Sequence, residues 1–410
     1  ALEKISAANA RALEALNGGA TWLWFEHVHQ PSDAELDRLL ENIRLDWGVP
    51  VYMDFGESTT AAAFLIPDYL ESKGYDVQQL EGGFVLDPIT RAARTGKFES
   101  SAKQSMQVLH QTLLHGMERL PKFRWLNIQA GFYREAGAGP VQELAFALAL
   151  ASDYLHHLGD AGLEESSLIE GMEFRFHPML SADYFSEIAK LRAFRVLWAN
   201  LLEQRGQAYQ APLIHVQPGL RNKTLFDPHN NLVRAALECM SAFTGGADRV
   251  SMQPYDHFFR SPDKASYRWA RNVPLLVRDE ARMGGLQDPG AGAYMLENLS
   301  QKMVEKAWGL FLEIEEKGGM IEALQANHIQ QMISFNAAQE QQAFLKGDLV
   351  LVGSNAYVAS EEKRSGDFSR ILASEPEEPL QFLKIRPSRL SEGLEIERLK
   401  KETAQSSEQE

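Results

Sequence analysis

Between residues 123 and 130 the chain alternates with a period of two. Leu126, Ile128 and Ala130 take one face, and Trp125, Asn127 and Gln129 the other. That period belongs to a strand with two distinct sides. Gly131 ends the strand, Gly137 and Gly139 tighten a loop, and Pro140 stands where a helix accepts proline, at its first position. The helix then runs through Val141, Leu144, Leu148 and Tyr154 to Gly159. Similar strand-like runs recur at 21–25, 49–55, 82–89, 172–177, 211–217 and 248–253, with a short eighth segment, GGLQDP, at 284–289. Helical periodicity fills the intervals at 59–73, 99–118, 184–203, 230–243, 266–281 and 295–317, and Ser32 with Glu35 makes a capping box ahead of a further helix. About eight strand–helix alternations predict an α/β fold, a (β/α)8 TIM barrel. The competing open doubly wound sheet is disfavoured because no Gly-x-Gly-x-x-Gly turn follows a strand.

The domain reading follows from these periods. Residues 1–18 form an N-terminal amphipathic helix, 19–319 the barrel and 320–359 a helical and strand extension that includes LVLVG; 360–410 is a charged tail, expected to be partly disordered. The chain opens inside a helical pattern, so further upstream residues are expected in the natural product. A net charge of −15 over 410 residues argues against nucleic acid or an anionic membrane as partner. One cysteine, Cys239, excludes an internal disulfide and a thiolate metal cluster, and its helical setting reads as a buried small hydrophobe. The sequence shows neither a membrane-length apolar run nor a secretory signal, which makes a cytoplasmic protein the default.

Polar residues gather at the strand ends: Glu26 and His27, Asp54, Asp87, Gln129, Tyr133, His177, His215, Gln217, Gln253, Asp256 and Asp288. In a parallel barrel that end carries the chemistry. The plain alternative is turn capping, above all at Asp87-Pro88, Asp227-Pro228 and Asp288-Pro289. His27 with His29, and His156 with His157, lack the i, i+4 spacing that puts two ligands on one helix face, so no metal site is expected. There is no Walker loop, nucleophile elbow or kinase signature. A barrel hydrolase using Glu26, Asp54 or Asp256 stays open, and needs a carboxylate of raised pKa in an accessible mouth. Bulky strand residues (Trp22, Trp24, Phe25, Tyr52, Phe55, Trp125, Phe174, Phe176) imply a packed barrel interior instead of a passage.

Blocks at 121–149, 187–202, 227–250, 270–320 and 350–357, among them FYREAGAGP and GGLQDPGAGAY, resemble the barrel domain of the methylmalonyl-CoA mutases in order and spacing, over residues 13–357. In that family the barrel binds acyl-CoA along its axis, and a C-terminal domain presents adenosylcobalamin at the mouth. The resemblance also implies losses. Tyr133 stands where the family's substrate-contacting histidine is expected, and Asp87-Pro88 follows the third strand with no counterpart of the family's substrate-binding arginine. Gln217, Ser251 and Gln253 replace family residues after the sixth and seventh strands, while Glu280 alone keeps an acidic pair. No Asp-x-His-x-x-Gly cobalamin motif occurs. The pattern resembles the small, non-catalytic subunit of heterodimeric mutases. It implies a degenerate site at Tyr133, Gln217, Ser251, Gln253 and Glu280, with no catalytic, cofactor-binding or metal-binding residue expected. Adenosylcobalamin would be held by the partner, a large catalytic mutase subunit. The alternative is an active acyl-CoA mutase barrel served by cobalamin on a separate chain.

Overall fold

The computed structural model describes residues 2–26, 32–178, 184–359, 361–362 and 379–407. Its strands are β1 (Leu23–Phe25), β2 (Val51–Met53), β3 (Gly82–Phe84), β4 (Phe123–Arg124), β5 (Leu126–Ile128), β6 (Met172–Phe176), β7 (Leu213–Val216) and β8 (Arg249–Val250). All pair in parallel, in the orders β1-β2-β3-β4 and β5-β6-β7-β8, and helices follow the strands. This is the α/β, TIM-barrel-like architecture that the alternation predicts. Among the described residues no helix is long and apolar enough to cross a membrane.

β4 and β5 are halves of one strand. The N–H groups of Trp125 and Leu126 both donate to the Gly171 carbonyl, at 2.8 and 3.1 Å, which breaks the ladder between them. The break turns Trp125 outward, where its Nε1 donates to the Leu120 carbonyl at 3.2 Å. The other outward strand residues, Leu23, Phe25, Val51, Met53, Phe84, Phe174 and Phe176, are buried beneath the helices. Phe174 packs 4.9 Å from the Trp198 ring and Phe176 4.8 Å from Phe194.

The helix Pro140–Asp160 is buried without interruption from Glu143 to Leu155. A helix apolar on all sides needs cover on all sides. The barrel covers one side, and Tyr294–Glu316 with Gly319–Gln325 cover the other. At that second contact Asp153 Oδ2 accepts the Ile321 N–H at 2.8 Å. Burial pushes the Asp153 carboxyl up to about 7, although the Ile321 hydrogen bond opposes the shift. A folded pKa above the unfolded one stabilises the protein below the unfolded value, and that stability is lost as pH rises toward 7. Asp153→Asn should flatten this loss, and urea midpoints at pH 5 and pH 8 measure it.

Three local expectations change. The eighth segment is not a strand: Met283–Gly285 is a 3₁₀ turn, preceded by a π-helix at Leu276–Glu280. Arg282 and Asp288 adopt positive φ of 55° and 39°, so the backbone turns just before the segment and again within it, which leaves no continuous extended run. Among the described residues β8 therefore has no ladder to β1. After β5 the chain enters the helix Ala130–Glu135 directly instead of a loop. LVLVG contributes only an isolated bridge, Val352 to Ala356. Within the charged tail, the described residues include a helix at Glu392–Ser407, with Glu395 accepting the Leu225 N–H at 2.7 Å.

Candidate functional site

Successive strand residues point to opposite faces, and the register decides which layer each inward residue joins. Trp24, Tyr52 and Gly83 are laterally aligned across β1, β2 and β3; Arg175, His215 and Arg249 are aligned across β6, β7 and β8. Trp24 and Tyr52 stack at 5.4 Å with 7° between their planes. Gly83 makes room for this stack, since a Cβ there would lie 2.6 Å from the Tyr52 ring. Trp22 meets the His215 ring edge-on at 5.0 Å.

Charges fill the other half of the interior. Glu173 is fully buried, with Oε2 3.0 Å from the Arg249 guanidinium and Oε1 3.3 Å from His215 Nδ1. Arg249 also donates to the Tyr52 hydroxyl and lies 4.6 Å above that ring. Burial lowers the Arg249 pKa to about 10. His215 Nε2 is 2.7 Å from Ser251 Oγ. Burial lowers the His215 pKa, and Glu173 opposes that shift. Arg175 lies 4.7 Å over the Trp24 ring and 3.5 Å from Glu26. The sequence reading marks the aromatic half of this filling. It passes over Glu173 and Arg175, whose signal is the strict alternation of MEFRFH with its charges on the inner face, and over Arg249 in DRVSMQ.

Where the eighth strand would close the wall, a cleft of about 1720 Å³ runs between β1 and β8. Its lining includes Glu26, Gln217, Ser251, Gln253, His257 and Asp288. The structure thus brings together Gln217, Ser251 and Gln253. Tyr133 is elsewhere, fully buried, with its hydroxyl 3.2 Å from Thr90 Oγ1 and its ring against Phe146. Burial first, then the nearby Asp87, holds the Tyr133 pKa well above its ordinary value. Glu280 sits in the exposed π-helix, outside the cleft lining. His27 lies outside the described residues.

The remaining strand-end groups serve local structure. Asp87 caps the helix Pro88–Thr95, accepting the Thr90 N–H at 3.0 Å, and also takes the Gln129 N–H at 2.9 Å and the Tyr154 hydroxyl at 2.7 Å. Asp54 accepts the Gly56 N–H at 2.8 Å. Asp256 is buried against Arg260 at 2.5 Å and Ser266 at 2.8 Å. Asp227 accepts from Asn230 Nδ2 at 2.6 Å, and Asp288 pairs with Arg192 at 3.0 Å. His177 Nδ1 lies 3.2 Å from Glu135. Burial alone would raise Glu135, but the His177 ring and the Leu220 N–H outweigh it and hold the carboxyl at about 2. Cys239 is buried, which pushes its thiol up to about 12.

The family model for methylmalonyl-CoA mutase matches residues 29–394. The chain belongs to the methylmalonyl-CoA mutase family. It is 32% identical over 365 residues to the methylmalonyl-CoA mutase small subunit of Porphyromonas gingivalis, covering 87% of this chain and 57% of that one. To the small subunit of Streptomyces virginiae it is 35% identical over 335 residues, covering 81% and 53%. To the methylmalonyl-CoA mutase of Rhizobium meliloti it is 31% identical over 329 residues, covering 79% and 46%. The chain spans about half the length of the curated relatives it matches.

Proposed function

We propose that this chain is the small subunit of a heterodimeric, cytoplasmic, adenosylcobalamin-dependent mutase that converts methylmalonyl-CoA to succinyl-CoA. In this reading the chain is structural, and its partner, a large catalytic subunit, holds substrate and cofactor. The observation that carries it is the set of side chains on the inner strand faces, with the Trp24–Tyr52 stack on one side and Glu173, His215 and Arg249 on the other, although Trp24 and Arg249 also border the cleft. An acyl-CoA lying along the axis would have to displace both. The small-subunit names of two relatives support the choice of partner.

In this reading the imidazoles at the strand ends do not ligate a cobalamin. Of the strand-end imidazoles, His215 is buried between Glu173 and Ser251, and His177 is held by Glu135. Neither side chain is part of the cleft lining, and in this reading the isomerisation takes place on the partner. Its contribution would be a rigid scaffold, since a fold outlasts the site it once carried. Mixing the chain with a large mutase subunit should give a one-to-one complex in sedimentation equilibrium. Two non-interacting species at micromolar concentration would end the reading.

The cleft beside Gln217, Ser251 and Gln253 favours one competing reading, an active acyl-CoA mutase barrel using cobalamin carried by a separate chain. That reading requires the Trp24–Tyr52 stack to open when a CoA thioester binds, which quenching of tryptophan fluorescence would report.

A further inference from the structure

Three adjacent parallel strands bring a hydroxyl, an imidazole and a carboxylate into line. Glu173 is on β6, His215 on β7, and Ser251 directly follows β8, where its N–H continues the ladder to the Val216 carbonyl. Ser251 Oγ is 2.7 Å from His215 Nε2, and His215 Nδ1 is 3.3 Å from Glu173 Oε1. Arg249 holds the other carboxylate oxygen at 3.0 Å, which fixes the orientation of the carboxylate. His215 Nδ1 and Glu173 Oε1 face each other at 3.3 Å without an aligned hydrogen bond and have no other partner, so a proton on Nδ1 turned to Glu173 would leave Nε2 to accept the serine proton. His215 and Glu173 are fully buried, whereas Ser251 is partly exposed and lines the cleft. The order is therefore nucleophile at the cavity, base behind it and orienting carboxylate behind the base, the arrangement by which a weak hydroxyl is activated.

We propose that Ser251, His215 and Glu173 form a hydrolytic triad acting on carboxylic esters that enter the cleft. This goes beyond the mutase reading and stands or falls without it. In the first step Ser251 Oγ bonds to the ester carbonyl carbon as its proton passes to His215 Nε2. The C–O bond to the alcohol then breaks, and the alcohol leaves with that proton. Water next attacks the acyl-serine, giving a proton to Nε2. The bond to Oγ breaks, Ser251 recovers the proton, and the carboxylic acid departs. Ser251 and His215 are the catalytic residues, and Glu173 is a positioning residue. Gln253, two residues beyond Ser251, and Gln217, two beyond His215, share their faces and line the same cleft. Their carboxamide N–H groups supply donors for the oxyanion.

His215 must be neutral to act as base. The charged groups facing it are Glu173, Arg249, Arg175 and His177, and burial sets the direction of its shift, below the ordinary histidine value. Activity should therefore rise with pH through an inflection below about 6.5 and then stay level.

The test uses the full chain with a fluorophosphonate probe and p-nitrophenyl acetate. Peptide mapping should place the phosphonate on Ser251, and Ser251→Ala should abolish both labelling and hydrolysis above background. His215→Gln should slow labelling by about 10²–10⁴-fold. Glu173→Gln should lower kcat more than it raises KM and move the pH inflection, which loss of a merely structural carboxylate would not do. Circular dichroism checks each fold. Should the buried variants unfold, Ser251→Ala and Ser251→Cys, at a partly exposed position, carry the test alone. Folded wild-type chain that leaves Ser251 unlabelled, or hydrolysis indifferent to Ser251→Ala, overturns the proposal.

Discussion

Lys190→Met should lower the unfolding free energy by about 3–5 kcal/mol, the usual cost of removing one partner from a buried ion pair. Lys190 Nζ is 2.6 Å from Glu143 and 2.6 Å from Glu187, and the three side chains are 1%, 0% and 2% exposed. Glu143 is also fixed by the His177 N–H, which donates to it at 3.0 Å. Burial opposes the charge on Lys190, but its two carboxylate partners outweigh this and hold its pKa above the ordinary lysine value. Glu187 shows the reverse balance: burial raises its pKa and Lys190 opposes the rise. Methionine fills the space of the lysine stem and leaves two carboxylates with no cation between them. Without Lys190 to oppose burial, Glu187 should then take up a proton at a higher pH than in the unfolded chain. The variant is accordingly least impaired near pH 5 and most impaired near pH 8. Urea unfolding at the two pH values reads both the size and the sign. A deficit below 1 kcal/mol at pH 8 would mean that water or a neighbouring group already shares the charge.

Gly116→Ala should destabilise the protein by about 1–3 kcal/mol, the range for forcing extra atoms into a packed core. Alanine is the better helix former by up to about 1 kcal/mol in a helix interior, so helix propensity predicts the opposite sign. Gly116 is the last residue of the helix Ala102–Gly116, where that preference counts least. A Cβ at this position would overlap the Trp125 ring. The ring cannot easily yield, because it is buried, tied to the Leu120 carbonyl and packed 5.1 Å from Phe84. Overpacking should win, and thermal melting shows which term does. A raised melting temperature would show that the indole moves aside.

Trp125 also shows what the sequence could not reveal. Period-two alternation places it on the same face as Asn127 and Gln129, and that reading holds only if the strand is continuous. The shared carbonyl of Gly171 interrupts it, and nothing in residues 123–130 announces a bulge made by a distant backbone oxygen. The segment at 284–289 misled for a different reason. Its count completed eight strands, but a strand needs extended backbone, and non-glycine residues of positive φ stand just before the segment and within it. Local pattern was enough for the parallel order and for the helix after Pro140, because apolar positions there repeat with the period of the element. It was enough for the caps too: Asp87 precedes a proline and accepts the Thr90 N–H three residues on. The interior charges were harder to see. A glutamate, two arginines and a histidine on alternating positions look solvent-facing until their strands close on one another and make them partners.

Tyr133 and Glu280 fall away from the cleft, and Gln217, Ser251 and Gln253 gather in it. The account thus rests on a barrel whose centre is occupied by its own side chains. The most direct test is turnover by this polypeptide alone, supplied with adenosylcobalamin and methylmalonyl-CoA. No succinyl-CoA should form from the isolated chain at concentrations where its complex with a large subunit is active. Sustained succinyl-CoA formation without that partner would contradict it.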